Sequence, residues 1–200
     1  MVMNFMHTDI SAWVPMLIAK FCHDLASPLG SLGLGLEMLG EGAPDSDTTQ
    51  ALQKSCETAQ LQLKFFRLLF TYKASLSEVQ TVLERMAQLK SIRLEWQGVC
   101  LDDDRLAPLV LGLFVVASET LIRGGTIKII LGTKISLECH GSTVQWRPDC
   151  LDAICSRSVA LRSPNIRIIV VSYLHHLSDT FNKTIAYELI DRHRFSISIC

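Results

Sequence analysis

Between residues 14 and 39, side chains suited to packing recur at alternating steps of four and three: Val14, Ile18, Phe21, Leu25, Pro28, Leu32, Gly35 and Leu39. That spacing is the seam of a helix packed lengthwise against its neighbours, and Leu17, Cys22, Leu29 and Leu36 widen the stripe. Ser11 to Pro15 offers a hydroxyl cap and an early proline, and Gly40-Glu41-Gly42 ends the run. The pattern therefore predicts about thirty residues of helix. After Gly42-Ala43-Pro44, Asp45 or Ser46 can cap a second helix, whose seam is Leu52, Cys56, Ala59, Leu63, Phe66 and Phe70. Two long helices with a short loop form an antiparallel hairpin. A hairpin cannot enclose its own core, because each helix has a neighbour on one side only. Pairing two hairpins from two chains into a four-helix bundle is the simplest remedy, so a homodimer is expected.

The pattern changes at Thr71 to Ser75. A helix over 76–89 leads to a period-two strand (Ile92, Leu94, Trp96), then to an apolar helix over about 104–122, a Gly124-Gly125 turn, and strands over 126–131 and 134–139. Pro148 starts a short helix and Ser163-Pro164 a longer one. Alternating stretches over 184–189 and 195–199 predict a hairpin across 191–193. The chain is thus expected to be α+β in two domains: a helical hairpin over 1–73 and an α/β sandwich over 74–200.

Composition narrows the function. Nineteen Lys+Arg against twenty Asp+Glu give a formal charge of −1, which leaves no broad basic footprint for nucleic acid or anionic membranes. At 48% apolar and 20% charged residues, the chain is too hydrophobic for disorder and fits a surface partly covered by a second subunit. Seven cysteines are odd in number and scattered, and MVMNFMHTDIS carries no positive n-region, so the expected compartment is the cytosol. Cys150 and Cys155 stand five apart with no second pair, and no metal site is expected. The run from Leu106 to Ala117 stops at Ser118-Glu119, short of the ~20 residues needed to span a bilayer.

Counting from Ile18 as heptad position a puts His23 at f, farthest from the packing partner. Asp24 follows it, Ser27 lies one turn on, and Pro28 removes a backbone donor at a cost of ~3 kcal/mol to an ordinary helix. Ser27, Gly30 and Ser31 lie on or beside the same face, and their small size lets another protein's backbone approach the ring. An incidental surface histidine is the plainer alternative. Gly30, Gly33 and Gly35 lie within a helix seam, not between a strand and a helix, so they are no phosphate loop. Cys22 and His23 diverge by about 100° and form no catalytic pair. His7, His140, His175, His176 and His193 have no ligand pattern around them and read as structural or solvent-facing.

The stretch FCHDLASPLGSLGLGLEML, Phe21 to Leu39, resembles the H-box of the ChpT-like histidine phosphotransferases of alphaproteobacterial cell-cycle phosphorelays, and more distantly the dimerisation and phosphotransfer region of sensor histidine kinases. His23, Asp24, Leu25, Ser27, Pro28, Leu29, Gly30, Gly35, Leu36, Glu37, Met38 and Leu39 all fit that pattern. LKFFRLLF (Leu63 to Phe70) is similar to the family's second-helix signature, and SETLIRGGTI (Ser118 to Ile127) to its approach to the sheet. Gly33-Leu34 departs from it, since the family carries asparagine there. The resemblance implies a homodimer whose bundle bears one phosphorylatable histidine per chain. It implies in addition a second domain shaped like a degenerate kinase ATP-binding domain. Independently, LAPLVLGLFVVASETLI contains no asparagine to hold magnesium, so neither ATP binding nor autophosphorylation is expected.

The implied activity is relay of a phosphoryl group between the receiver domain of a hybrid kinase and those of response regulators through phospho-His23. Asp24 would orient the imidazole, or else stand as a solvated carboxylate on the helix face, and the Mg²⁺ would sit on the partner, leaving this chain with no cofactor of its own. With the loop centred near Ala43-Pro44, position 23 is level with position 64. Lys64, with Arg67 one turn on, is then expected to flank the histidine, either attracting a receiver's acidic pocket or merely solubilising the face. The competing function is a non-catalytic dimeric adaptor that sequesters a response regulator through the same face.

Overall fold

The computed structural model describes residues 10–42, 45–71, 74–98, 106–145, 154 and 166–200. Helix α1 runs Ile10–Glu41 without a break at Pro15 or Pro28. Helix α2, Ser46–Leu69, starts where Asp45 accepts a hydrogen bond from the Thr48 backbone N–H at 2.6 Å. Helix α3, Leu76–Leu89, is capped in the same way by Ser75, which accepts from the Glu78 N–H at 3.3 Å. There follow β1 (Ile92–Gly98), α4 (Leu106–Thr120), β2 (Gly125–Leu131), β3 (Ile135–His140), α5 (Ile166–Thr180), β4 (Ile185–Asp191) and β5 (Arg194–Ile199). The fold is α+β, as the sequence predicts, and strand ends move by no more than two residues. The helix expected from Pro148 lies outside the described residues except for Ile154, which is helical, and the start expected at Ser163-Pro164 lies outside them too.

The five strands form one mixed sheet in the order β1-β2-β3-β5-β4, with β1 and β2 parallel and the other pairs antiparallel. Alternation sends Ile127, Ile129, Leu137, Phe195, Ile197 and Ile199 to one side, where all are buried, while Lys128, Glu138 and Ser196 face the other. Helix α4 is buried almost all round, which is why its sequence reads apolar on every face. It packs against the sheet, α5, α3 and the base of α2. One continuous core therefore joins Leu61, Phe65, Leu68 and Leu69 of the hairpin to the sheet domain. The Tyr173 hydroxyl on α5 donates to the Leu69 carbonyl at 2.8 Å, closing a carbonyl that the end of α2 leaves open.

Gly124 and Gly125 sit at positive φ, +75° and +150°. A Cβ there would lie 2.2 Å from the Ser91 carbonyl oxygen and 2.3 Å from that of His140. The glycine pair thus lets three backbone segments meet, and packing alone accounts for it.

Candidate functional site

The site begins with the way α1 lies on α2. The Phe21 and Phe66 rings meet edge to face with centroids 4.7 Å apart, and Gly35 is buried against Leu52. Phe21, Pro28 and Gly35 are seven apart, and each is at least partly buried on the side facing α2. His23 lies two residues beyond Phe21, ~200° around the axis, so its ring points away from α2 and its side chain is 81% exposed. The pairs Phe21–Phe66 and Gly35–Leu52 fix the hairpin register, which sets Lys64, half-buried on α2, at the level of His23.

Beside the histidine, Asp24 turns toward the sheet domain. Its Oδ1 lies 3.4 Å from His23 Nδ1 and also takes a hydrogen bond from the Lys20 ammonium one turn back. Both residues line a cleft of about 320 Å³ between the hairpin and the sheet domain. Phe65, Phe114 and Val170 contribute apolar lining, and Lys90 and Glu119 are ion-paired across it at 2.5 Å. Ser27, Gly30 and Ser31 are exposed on or beside the His23 side of α1. The Ser31 hydroxyl donates to the Ser27 carbonyl at 3.2 Å, and nothing lies within 4 Å of where a Gly30 Cβ would stand. Arg67 stands one turn on from Lys64 along α2. Its guanidinium is 3.6 Å from the Glu78 carboxylate of α3, and it borders an apolar groove with Val14, Ile18, Leu63 and Phe70.

The structure thus brings together His23, Asp24 and Lys20, of which sequence reasoning did not single out Lys20. The signal available was its i,i+4 spacing to Asp24. Among the other histidines, His175 is buried in α5, His140 is exposed on β3, and His193 bonds to the Ser142 carbonyl at 2.8 Å in the β4–β5 turn. His7 lies outside the described residues. Among the described residues no group of three or more His, Cys, Asp and Glu side chains is placed to hold a metal ion, and no helix is long and apolar enough to cross a membrane.

A second feature of α1 is an apolar strip between the α2 side and the histidine side. Ile18, Leu29 and Leu36 are each more than half exposed, as is Leu63 on α2.

No protein-family model matches the chain. Over 124 residues, 58% of this chain, the sequence is 27% identical to the protein phosphotransferase ChpT of Brucella abortus (strain 2308), and the match spans 59% of that protein's length. The fold matches a solved bacterial phosphotransferase at a TM-score of 0.79 with 22% identity, over 97% of both chains. The histidine kinase AdeS of Acinetobacter baumannii overlaps at a TM-score of 0.48 with 17% identity, over 88% of this chain and 96% of that one.

Proposed function

We propose that this ChpT-like chain is a histidine phosphotransferase that relays a phosphoryl group between receiver domains through His23. The observation that carries the reading is the placement of the imidazole: the His23 side chain is 81% exposed, and its Nδ1 lies 3.4 Å from Asp24 Oδ1. In the tautomer that donates from Nδ1 to Asp24, the Nε2 lone pair stands on the exposed face as the nucleophile. In the forward step Nε2 attacks the phosphorus of a receiver's aspartyl phosphate. The N–P bond forms as the P–O bond to the aspartate breaks, and the bonding pair leaves on that carboxylate. The proton stays on Nδ1, the ring gains positive charge, and the Asp24 carboxylate stabilises it. The reverse step delivers the group to a second receiver. The Mg²⁺ that neutralises phosphoryl charge belongs to the receiver in this scheme, so this chain supplies the nucleophile and its positioning alone.

Two further parts of the proposal follow from the same helix. The exposed strip of Ile18, Leu29, Leu36 and Leu63 is the surface a second copy would cover in a four-helix bundle, making the protein a homodimer with two outward histidines. ATP-dependent autophosphorylation is outside the proposed activity, a reading supported by the absence of asparagine from the α4 sequence and by glycines at 124–125 that packing explains.

The test is transfer of labelled phosphate from a phosphorylated receiver domain to the purified protein, beside a His23→Ala variant. Acid-labile, base-stable label on the wild type alone is the expected result. Receiver binding without label on either protein would overturn the relay in favour of a sequestering adaptor.

A further inference from the structure

We propose that Lys20 is a positioning residue for the reacting histidine, acting through Asp24. The inference rests on the phosphotransferase reading above. One carboxylate oxygen, Asp24 Oδ1, serves both groups: the Lys20 ammonium bonds it from one turn back, and His23 Nδ1 faces it from the other side. Lys20 and Asp24 are both largely withdrawn into the cleft against α4, whereas the imidazole stands out in solvent. A free aspartate on a helix samples several rotamers, most of which turn its oxygens away from the neighbouring ring. Tying it to Lys20 selects the rotamer whose Oδ1 meets Nδ1, which favours the tautomer with its lone pair on Nε2. A lysine also draws charge from the carboxylate it holds, an effect that opposes stabilisation of the ring. Because the ammonium is solvated on one side, charge withdrawal is screened and the positional effect dominates.

The two effects give opposite signs, so the experiment separates them. Full-length Lys20→Met, Lys20→Arg, Asp24→Asn and the Lys20→Met/Asp24→Asn double variant are compared for the transfer rate at saturating phosphorylated receiver and for the receiver concentration at half-saturation. In parallel, ¹⁵N NMR of the His23 ring reads the fraction of the Nδ1–H tautomer. Lys20→Met is expected to lower the saturated rate about fivefold, the scale of losing one ordered polar contact, with half-saturation unchanged and the Nδ1–H fraction reduced. Lys20→Arg should restore most of both, and Lys20→Met should add nothing in the Asp24→Asn background. A rate that rises, a loss confined to half-saturation, or an equal loss with and without Asp24 would each overturn the proposal, the last two pointing to direct contact with the receiver. If the wild type takes no label, the phosphotransferase reading fails, and the tautomer measurement still decides the role of Lys20: an unchanged Nδ1–H fraction overturns it. Lys20→Gln, which keeps the polar chain and removes the charge, serves as the second variant if Lys20→Met does not fold.

Discussion

Replacing Gly33 and Gly35 with alanine, one at a time, sets two opposing forces against each other within a single helix. In a helix interior Gly→Ala stabilises by ~1 kcal/mol, because alanine has less backbone freedom to lose. At Gly33 nothing lies within 4 Å of the position a Cβ would take, so the whole gain is expected. At Gly35 the same atom would stand 2.5 Å from Leu52 Cδ2 and 2.8 Å from Leu52 Cγ. Ordinary carbon contact needs ~3.5–4.0 Å, so Leu52 must retreat by about 1 Å, and the position of Cγ means that turning one methyl aside does not suffice. Overpacking of this kind costs ~1–3 kcal/mol, leaving Gly35→Ala between about neutral and about 2 kcal/mol destabilised. The two variants should then differ by about 2 kcal/mol, which for a chain of this size is a Tm gap of about 4–8 °C. The assay is thermal unfolding followed by far-UV circular dichroism at one fixed protein concentration, since self-association would otherwise shift Tm. Gly35→Ala melting at or above Gly33→Ala would refute the reasoning and, with it, the α1–α2 register that sets the level of His23.

Three further outcomes are expected. Tyr173→Phe leaves the buried Leu69 carbonyl without its donor, so urea unfolding should show a loss of ~1–2 kcal/mol; no loss would mean that the end of α2 finds another partner. Hydrogen bonding from the Thr48 backbone N–H holds the Asp45 carboxyl below its ordinary value, so its stabilising effect is present above about pH 4 and fades as pH falls through the folded-state value. Melts of the wild type and Asp45→Asn across an acid series should accordingly converge on acidification, and a gap that widened would contradict the sign. In the proposed homodimer, Ile18→Glu places a charge in the exposed apolar strip and should shift the protein toward monomer in sedimentation without loss of helix content; a sedimentation coefficient equal to that of the wild type would overturn this strip as the dimer face.

The hairpin was legible because its determinants are local. Phe21, Gly35, Leu52 and Phe66 all belong to the two seams, and with a short loop the seams can align in only one way, which gives the observed pairs. Helix α4 announced its central place by being apolar all round. The interior position of β5, between β3 and β4, was not legible. It depends on pairings such as Ile135 with Ile199, more than sixty residues apart, and period-two alternation is silent about which strand is the neighbour. The same limit applies at the site. The spacing of Lys20 and Asp24 permits an ion pair on any helix. Which way the shared carboxylate faces depends on a cleft walled by α4, nearly one hundred residues along the chain. The partner of Arg67 likewise depends on where α3 lies, which no spacing within α2 encodes.

The circumference of α1 explains how Pro28 and Gly35 can sit on its packed side. Phe21, Pro28 and Gly35 follow one another along the line facing α2, and they grow smaller toward the loop. The missing N–H at Pro28 would ordinarily weaken the helix where it stands, yet the helix continues unbroken. Burial of the ring against α2 compensates locally, as tertiary packing supplies most helix stability in proteins. The exposed side needs no bulk for stability, so Ser27, Gly30 and Ser31 can stay small beside His23. Packing therefore fixes the axis of α1 from behind, leaving the imidazole on a rigid element with an unobstructed approach. The proposed relay, in which one nucleophile meets two receivers in turn, calls for that arrangement.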